Sequence, residues 1–147
     1  MAGSLKDTAE ASFLDLLFLN TAWTNVGNAG GLLPSSAAGN FYVSLFSVAP
    51  SDSAQGTECN YTGYARVAVA RTSGGWVRSG NNMSNTAVIT FGACSAGPQT
   101  AVAFAICTGG TMGVNDQIVW GDLTPTYSIT VPNAPEFAVG DLDVNAD

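Results

Sequence analysis

The chain has 147 residues, enough for one domain with a single sizeable core. Its net charge is −7 with only four basic residues, so it lacks the basic footprint that nucleic acids and anionic membranes require. Histidine is absent, which removes the commonest general base and leaves no Ser-His-Asp or Cys-His arrangement. We therefore expect no enzymatic activity, no cofactor, no bound metal, and neither nucleic acid nor membrane as a partner.

The surface is predicted to be short of charge. Charged residues make up 10% of the chain, against about 25% in typical soluble domains. Such a surface indicates a protein that is largely covered by neighbours. A small β-protein with a Ser-, Thr- and Asn-rich surface would have the same composition, and both interpretations stay open.

Three cysteines, Cys59, Cys94 and Cys107, are widely spaced and odd in number. This pattern argues against a disulfide framework and against a zinc site. It predicts buried free thiols, which fits an intracellular, reducing assembly environment.

Residues 4–23 are predicted to form the single helix. Ser4 and Asp7 have the spacing of a capping box at its start. One side carries an apolar stripe at helical spacing, made by Leu5, Ala9, Phe13, Leu16, Leu17 and Asn20 and widened by Leu14 and Phe18. This stripe packs on a sheet, or part of it is shared with a neighbouring subunit.

Residues 24–40 form a loop rich in Gly, Asn and Ser that carries two leucines, Leu32 and Leu33. Loops of this length are uncommon in compact domains and are often functional. We predict a partner interface at Leu32, Leu33 and Trp23, although these side chains could equally fold back onto the domain.

The rest of the chain reads as short strands separated by turns. The stretch 61–79 has period-two alternation, a break at Thr72-Ser73-Gly74-Gly75 and a restart at Trp76, which predicts a central hairpin. Further strands are predicted at 41–48, 86–91, 100–107, 118–120, 127–131 and 137–139. This spacing favours a single antiparallel β-sandwich or barrel with one N-terminal helix. The predicted core comprises Val43, Leu45, Val67, Val69, Ile89, Phe104 and Ile106.

The predicted organisation is one domain over 1–147, with the helix at 1–23, the loop at 24–40, the β domain at 41–139 and a solvated acidic tail at 140–147. The tail begins like a calcium loop, with Asp141, Asp143, Asn145 and Asp147 alternating. It lacks the glycine and the distal glutamate that such a loop needs, so no metal is expected.

Trp23, Trp76 and Trp120 raise the question of a carbohydrate-stacking platform. Tryptophans in three different elements are more often core and interface anchors, and no polar residues cluster with them in sequence. A carbohydrate-binding module is therefore the third-ranked function, after two structural roles given below.

Four segments in order resemble a family of small virion structural proteins of tailed bacteriophages, often labelled tail-fibre proteins. They are L-K-D-T-A-E-A-S-F-L-D-L-L-F, Y-V-S-L-F-S-V-A-P, Y-T-G-Y-A-R-V-A-V-A-R and W-V-R-S-G, and they cover roughly the first two thirds. The resemblance implies a non-catalytic component of a phage particle, located in the virion, whose partners are other virion proteins and copies of itself.

Within the particle, a small acidic domain with few charges suits a capsid decoration, or cement, protein that binds the major capsid protein and stabilises the head. The alternative is a small tail, tail-tip or tail-fibre-associated protein that binds tail proteins. Receptor-binding fibres are expected to be longer and repetitive, so the decoration interpretation is placed first.

Overall fold

A computed structural model describes residues 4–146 of the chain. Strands make up 41% of the structure and helix 8%, so the predicted mostly-β class with one N-terminal helix is confirmed. The helix α1 covers Asp7–Phe18. The strands are β1 Asn40–Val48, β2 Thr57–Glu58, β3 Val67–Ala70, β4 Trp76–Ser79, β5 Asn82–Asn85, β6 Ile89–Thr90, β7 Gln99–Cys107, β8 Gln117–Ile129, β9 Glu136–Phe137 and β10 Asp143–Asn145. The sheets are antiparallel and open, as in a sandwich, and none closes into a barrel.

The chain forms two compact units. Among the described residues, the first unit contains 4–39, 70–88 and 137–146, and the second contains 40–69 and 89–136. Neither unit is continuous in sequence, because the chain alternates between them. Each is described below by itself.

The first unit packs the helix against a three-stranded sheet in the order β10-β5-β4. Its core centres on Trp76, which is fully buried and meets Phe18 edge to face with 4.9 Å between ring centroids. Leu14 and Met83 are also buried. The sheet therefore depends on one face of a short helix for its apolar cover.

The helix is shorter than predicted, and its buried face is different. It begins after Lys6 with no side-chain cap, so the predicted capping box at Ser4 is wrong. It ends at Phe18, and Asn20 follows with a φ of 52° in the left-handed region. The buried residues are Glu10, Leu14 and Phe18, one turn apart, whereas Phe13 and Leu5 of the predicted stripe are exposed.

The predicted solvated tail is wrong for residues 140–146, and Asp147 lies outside the described residues. Val144 in β10 pairs with Met83, and both Val144 and Leu142 are buried. The Asn85 side chain secures this segment by donating to the Ala138 carbonyl at 2.8 Å and accepting from the Leu142 amide at 3.0 Å. The sequence predicts a polar tail here because Leu142 and Val144 alternate with acidic and polar residues.

We expect Leu142→Ala to lower the free energy of unfolding by about 2–5 kcal/mol, because it removes buried methyl groups and leaves a cavity. Val139→Ala is the matched control: Val139 is 59% exposed, three residues away, and should change stability by less than about 0.5 kcal/mol. Urea denaturation of both variants measures the difference. Equal stability of the two would mean that the last segment does not pack as described.

The second unit is built on a five-stranded sheet in the order β2-β1-β7-β8, with β3 also paired to β1, and includes the short β6–β9 pair. Pairing of β1 with β7 places Val43 opposite Ile106 and Leu45 opposite Phe104. Val43, Leu45, Ile106 and Ile89 are buried, as predicted, but Val67, Val69 and Phe104 are only partly buried.

The more deeply buried face of β7 is the one with the small side chains. Ala101, Ala103 and Ala105 are fully buried. Of the large residues that alternate with them, Val102 and Phe104 are only partly buried, whereas Ile106 is fully buried. Phe104 pairs with Gly121, where an added Cβ would come within 2.9 Å of the phenylalanine ring. The ring therefore depends on the glycine opposite it.

Three further strand predictions are wrong. The predicted hairpin at 61–79 does not form, because β3 pairs with β1 whereas β4 pairs with β5 in another sheet. The predicted strand 86–91 is reduced to β6. The strands predicted at 118–120 and 127–131 are one strand, β8, in which residues 123–126 lie opposite Val102 alone. Pro125 is accommodated in this bulge instead of ending the strand.

A buried ion-pair network lies beside the sheet. The side chain of Arg66 is fully buried and donates to both oxygens of Glu58 at 2.9 and 3.1 Å and to Asp116 at 2.8 Å. It also donates to the carbonyls of Gly109 and Val114 at 2.6 and 3.1 Å. Burial disfavours the charged guanidinium, but these hydrogen bonds outweigh it and raise the pKa of Arg66.

The carboxylates of the network also hold the backbone and a tyrosine. Glu58 accepts from the Gly113 amide at 2.7 Å and from the Tyr64 hydroxyl at 2.8 Å. That hydroxyl in turn accepts from the Leu45 amide of β1 at 3.0 Å. One guanidinium thus connects the sheet to the glycine-rich turn 108–116, and removing one partner of such a pair typically costs about 3–5 kcal/mol.

The three cysteines are free and buried, as expected. Burial is the main cause that raises the pKa of Cys59 and of Cys107 from 9.0 to about 11, and it raises the pKa of Tyr61 from 10.0 to about 12. The folded state therefore holds these protons more tightly than the unfolded state does.

We expect stability to fall at alkaline pH. A pKa that is raised on folding stabilises the protein fully below the unfolded value, and this contribution is lost as the pH rises through the folded value. For the two thiols that interval is about pH 9 to about pH 11. Urea denaturation at several pH values should show a declining free energy of unfolding there, with a shallower slope in Cys59→Ala. A flat profile over this interval would contradict the burial of the thiols.

Candidate interaction surface

The loop between α1 and β1 is a closed, ordered segment, which we call the leucine loop (residues 20–39). Its two limbs are joined by a pair of backbone hydrogen bonds between Trp23 and Leu32, at 3.0 and 2.9 Å. At the tip, the Asn28 side chain accepts from the amides of Gly30 and Gly31 at 2.9 and 3.1 Å. The loop predicted at 24–40 is thus present, with an internal structure that its composition does not show.

Gly31 is required by the close approach of the two limbs. Its φ is +65°, and a Cβ built there would lie 2.1 Å from the Trp23 carbonyl oxygen, which is too close for any side chain. Gly27 also has a positive φ, of +77°, but has open space around it.

The base of the leucine loop is fastened to the helix end. Asn20 exchanges two hydrogen bonds with the backbone of Ser35, at 2.8 and 3.0 Å. Arg71 donates to the carbonyls of Leu16 and Leu17 at 3.0 and 2.6 Å and to the Ala38 carbonyl at 3.1 Å. A cation at the C-terminal end of a helix is also favoured by the helix dipole. No basic residue lies in the last turn itself, so Arg71 supplies this charge from outside the helix.

The leucine loop and the helix present an apolar surface to solvent. Leu33 is 72% exposed, Leu32 44% and Phe13 of the helix 43%. A groove of about 190 Å³ separates loop and helix; its lining is Phe13, Leu16, Leu17, Leu33, Ser35 and Arg71. Leu32 and Leu33 do not fold back into the core, which was the other outcome open from the sequence. Trp23 is partly buried and serves as a backbone partner of Leu32.

Sequence reasoning missed Arg71 as part of this surface. Phe13 belongs to the predicted stripe, part of which was left open for a neighbouring subunit; the core-facing positions are Leu14 and Phe18, and Phe13 lies on the outside. Arg71 falls within the predicted hairpin stretch 61–79, where no interface was expected. The signal available was its position next to the Thr72-Ser73-Gly74-Gly75 break, where a strand was about to end.

Other candidate sites find little support among residues 4–146. No group of three or more cysteine or acidic residues there could hold a metal ion. No helix in that range is long and apolar enough to cross a membrane. The three tryptophans do not form one platform, since Trp76 is fully buried whereas Trp23 is partly buried and Trp120 is exposed.

Comparison with known proteins gives the family. A family model described as Podophage GP4 fiber I protein gp80 matches residues 4–145, nearly the whole chain. The chain belongs to that family. It is therefore a structural protein of a phage virion, which confirms the resemblance, and its partners include other virion components. No curated protein matches the sequence.

We expect Gly31→Ala to open the leucine loop, because the new methyl group would overlap the backbone at Trp23. Gly27→Ala is the control: both variants incur the cost of a left-handed alanine, about 1–2 kcal/mol, but only Gly31→Ala adds the clash. Amide hydrogen exchange at Trp23 and Leu32 should accelerate in Gly31→Ala alone. Retained protection in that variant would show that the limbs are not joined at these residues.

Proposed function

We propose that this protein is a non-enzymatic structural component of the phage tail-fibre assembly and binds a neighbouring virion protein through the leucine loop and the outer side of α1. The fibre description of the matching family supports the tail alternative over the capsid decoration protein that the sequence placed first. The observation that carries the contact surface is the exposure of Leu33 and Phe13 in the lining of one groove, next to the exposed Leu32.

The surface has the properties of a pre-organised interface. Leu33 exposes most of its side chain at a position fixed by the Trp23–Leu32 pair and by Asn20, so little loop entropy is lost on binding. Interface energy concentrates in a few apolar anchors that fill pockets on the partner. Two adjacent leucines beside a phenylalanine on the helix fit that role.

The proposal of a non-catalytic role rests on the side chains available. The chain has no histidine. In its buried charged cluster, Arg66 donates hydrogen bonds to Glu58, to Asp116 and to two backbone carbonyls, so these groups hold the fold together. A general acid or base needs a free proton-transfer position within reach of a substrate. The fully occupied network supports a structural role.

The Leu32→Asp, Leu33→Asp double variant should fold normally but fail to join particles, because each carboxylate would be buried without a partner in the interface. Particles assembled by complementation, quantified by mass spectrometry of purified virions, provide the measurement. The control is Val77→Asp with Val139→Asp, which adds the same charge at exposed apolar positions of the same compact unit. That control should be incorporated at the normal level.

Normal incorporation of the leucine variant would remove the leucine loop as the contact. Image reconstruction of wild-type particles separates the two locations independently. Density for this protein at the tail supports the fibre proposal, whereas many copies on the capsid lattice would return the decoration interpretation.

A further inference from the structure

A row of three exposed side chains lies on one face of the edge strand β8. Tyr127, Asp122 and Trp120 pair with alternate residues of β7, namely Ala101, Ala103 and Ala105. Paired residues share a face, and alternate residues of one strand share a face, so the three side chains point the same way. We call this set the aromatic row.

The aromatic row is exposed beside a deeply buried strand. Trp120 is 39% exposed, Tyr127 is 37% exposed and Asp122 is exposed, although the alanines opposite them are fully buried. Four residue steps of β7 separate the partners of the two rings, a distance of about 13–14 Å at about 3.4 Å per residue.

Packing within the sheet fixes the positions of the side chains in the aromatic row. Gly121 lies between Trp120 and Asp122 because Phe104 packs over it on the opposite face. The bulge at residues 123–126 returns the strand to register, so that Tyr127 emerges on the same face as Trp120. The spacing of the two rings therefore follows from the pairing with β7.

We infer that the aromatic row binds an extended carbohydrate chain. The two rings offer apolar faces on which the C–H faces of sugar rings stack, and the carboxylate midway between them accepts hydrogen bonds from sugar hydroxyls. The distance between the rings spans several sugar units, so a chain fits better than a single sugar.

Charge narrows the class of carbohydrate. The protein has a net charge of −7, and Asp122 is the single charged residue of β8. An anionic polysaccharide would be repelled, whereas a neutral chain or one with amino groups is accepted. Amino groups would also pair with Asp122 and be attracted to the aromatic faces.

The test uses the isolated full chain and three β-1,4-linked hexasaccharides: cellohexaose, the N-acetylglucosamine hexamer and its deacetylated, cationic form. Titration calorimetry and the tryptophan emission should report binding of at least one at millimolar concentration. Trp120→Ala and Tyr127→Ala should each weaken binding about fivefold or more. Val77→Ala, which removes an exposed apolar side chain from the other compact unit, should leave it unchanged.

Asp122→Asn keeps the shape of the side chain and removes its charge. It should lower the affinity for the cationic hexamer more than that for the N-acetylated one. An unchanged ratio would overturn the role given to Asp122. Where Trp120→Ala does not fold, nuclear Overhauser contacts between sugar C–H protons and the Trp120 indole in the unaltered protein decide the point.

The inference is overturned when none of the three hexasaccharides binds, or when binding persists at full strength without the rings. A tryptophan emission that shifts with protein concentration alone would show that this face pairs with a strand of another copy instead. Because this test needs no virion, its outcome is separate from the incorporation test of the leucine loop.

Discussion

One buried guanidinium organises the second compact unit. The Arg66 side chain is fully buried. Its charge is stabilised because each of its three nitrogens donates to an oxygen of Glu58, of Asp116 or of a backbone carbonyl. Isolated, the same group would cost far more than a domain of this size can supply. The glycine-rich turn 108–116 is thereby attached to the sheet, although its own composition would favour a mobile loop.

The first compact unit uses a second arginine in a different way. Arg71 binds carbonyl oxygens at the end of α1 and at the base of the leucine loop, so it joins the helix to the segment that follows it. Three of the four basic residues in the chain donate to backbone carbonyls, since Arg78 also donates to the Gly80 carbonyl at 3.0 Å. The chain contains few charged residues, and its arginines lie where they bind backbone carbonyls.

Local periodicity predicted much of the fold. The strands at 41–48 and 100–107 and the single helix follow from patterns within a few residues, and the free buried thiols follow from the odd number and wide spacing of the cysteines. Pairing partners did not follow, because the Thr72-Ser73-Gly74-Gly75 break signals a turn without showing whether the strands on either side meet. The chain instead passes from one sheet to another there.

Of the two candidate surfaces, one could be predicted from the sequence and the other could not. The exposed leucines were predictable, because apolar residues in a glycine-rich loop are conspicuous in a sequence. The aromatic row was not, because the pairing of Ala101 with Tyr127 and of Ala105 with Trp120 depends on a bulge that skips residues 123–126. In the sequence, Pro125 suggests that one strand ends before Tyr127, which places Trp120 and Tyr127 in different strands. Their position on the same face of β8 therefore cannot be read from the alternation of residues.

The interleaving of the two units has a consequence for biosynthesis. The second unit can be complete once residue 136 has left the ribosome, but the first still lacks Leu142 and β10, which pairs with β5 made some sixty residues earlier. Such long-range closure is slow compared with local folding. The unit that carries the leucine loop therefore closes only after β10 has reached β5, so its folding waits on a segment about sixty residues further along the chain.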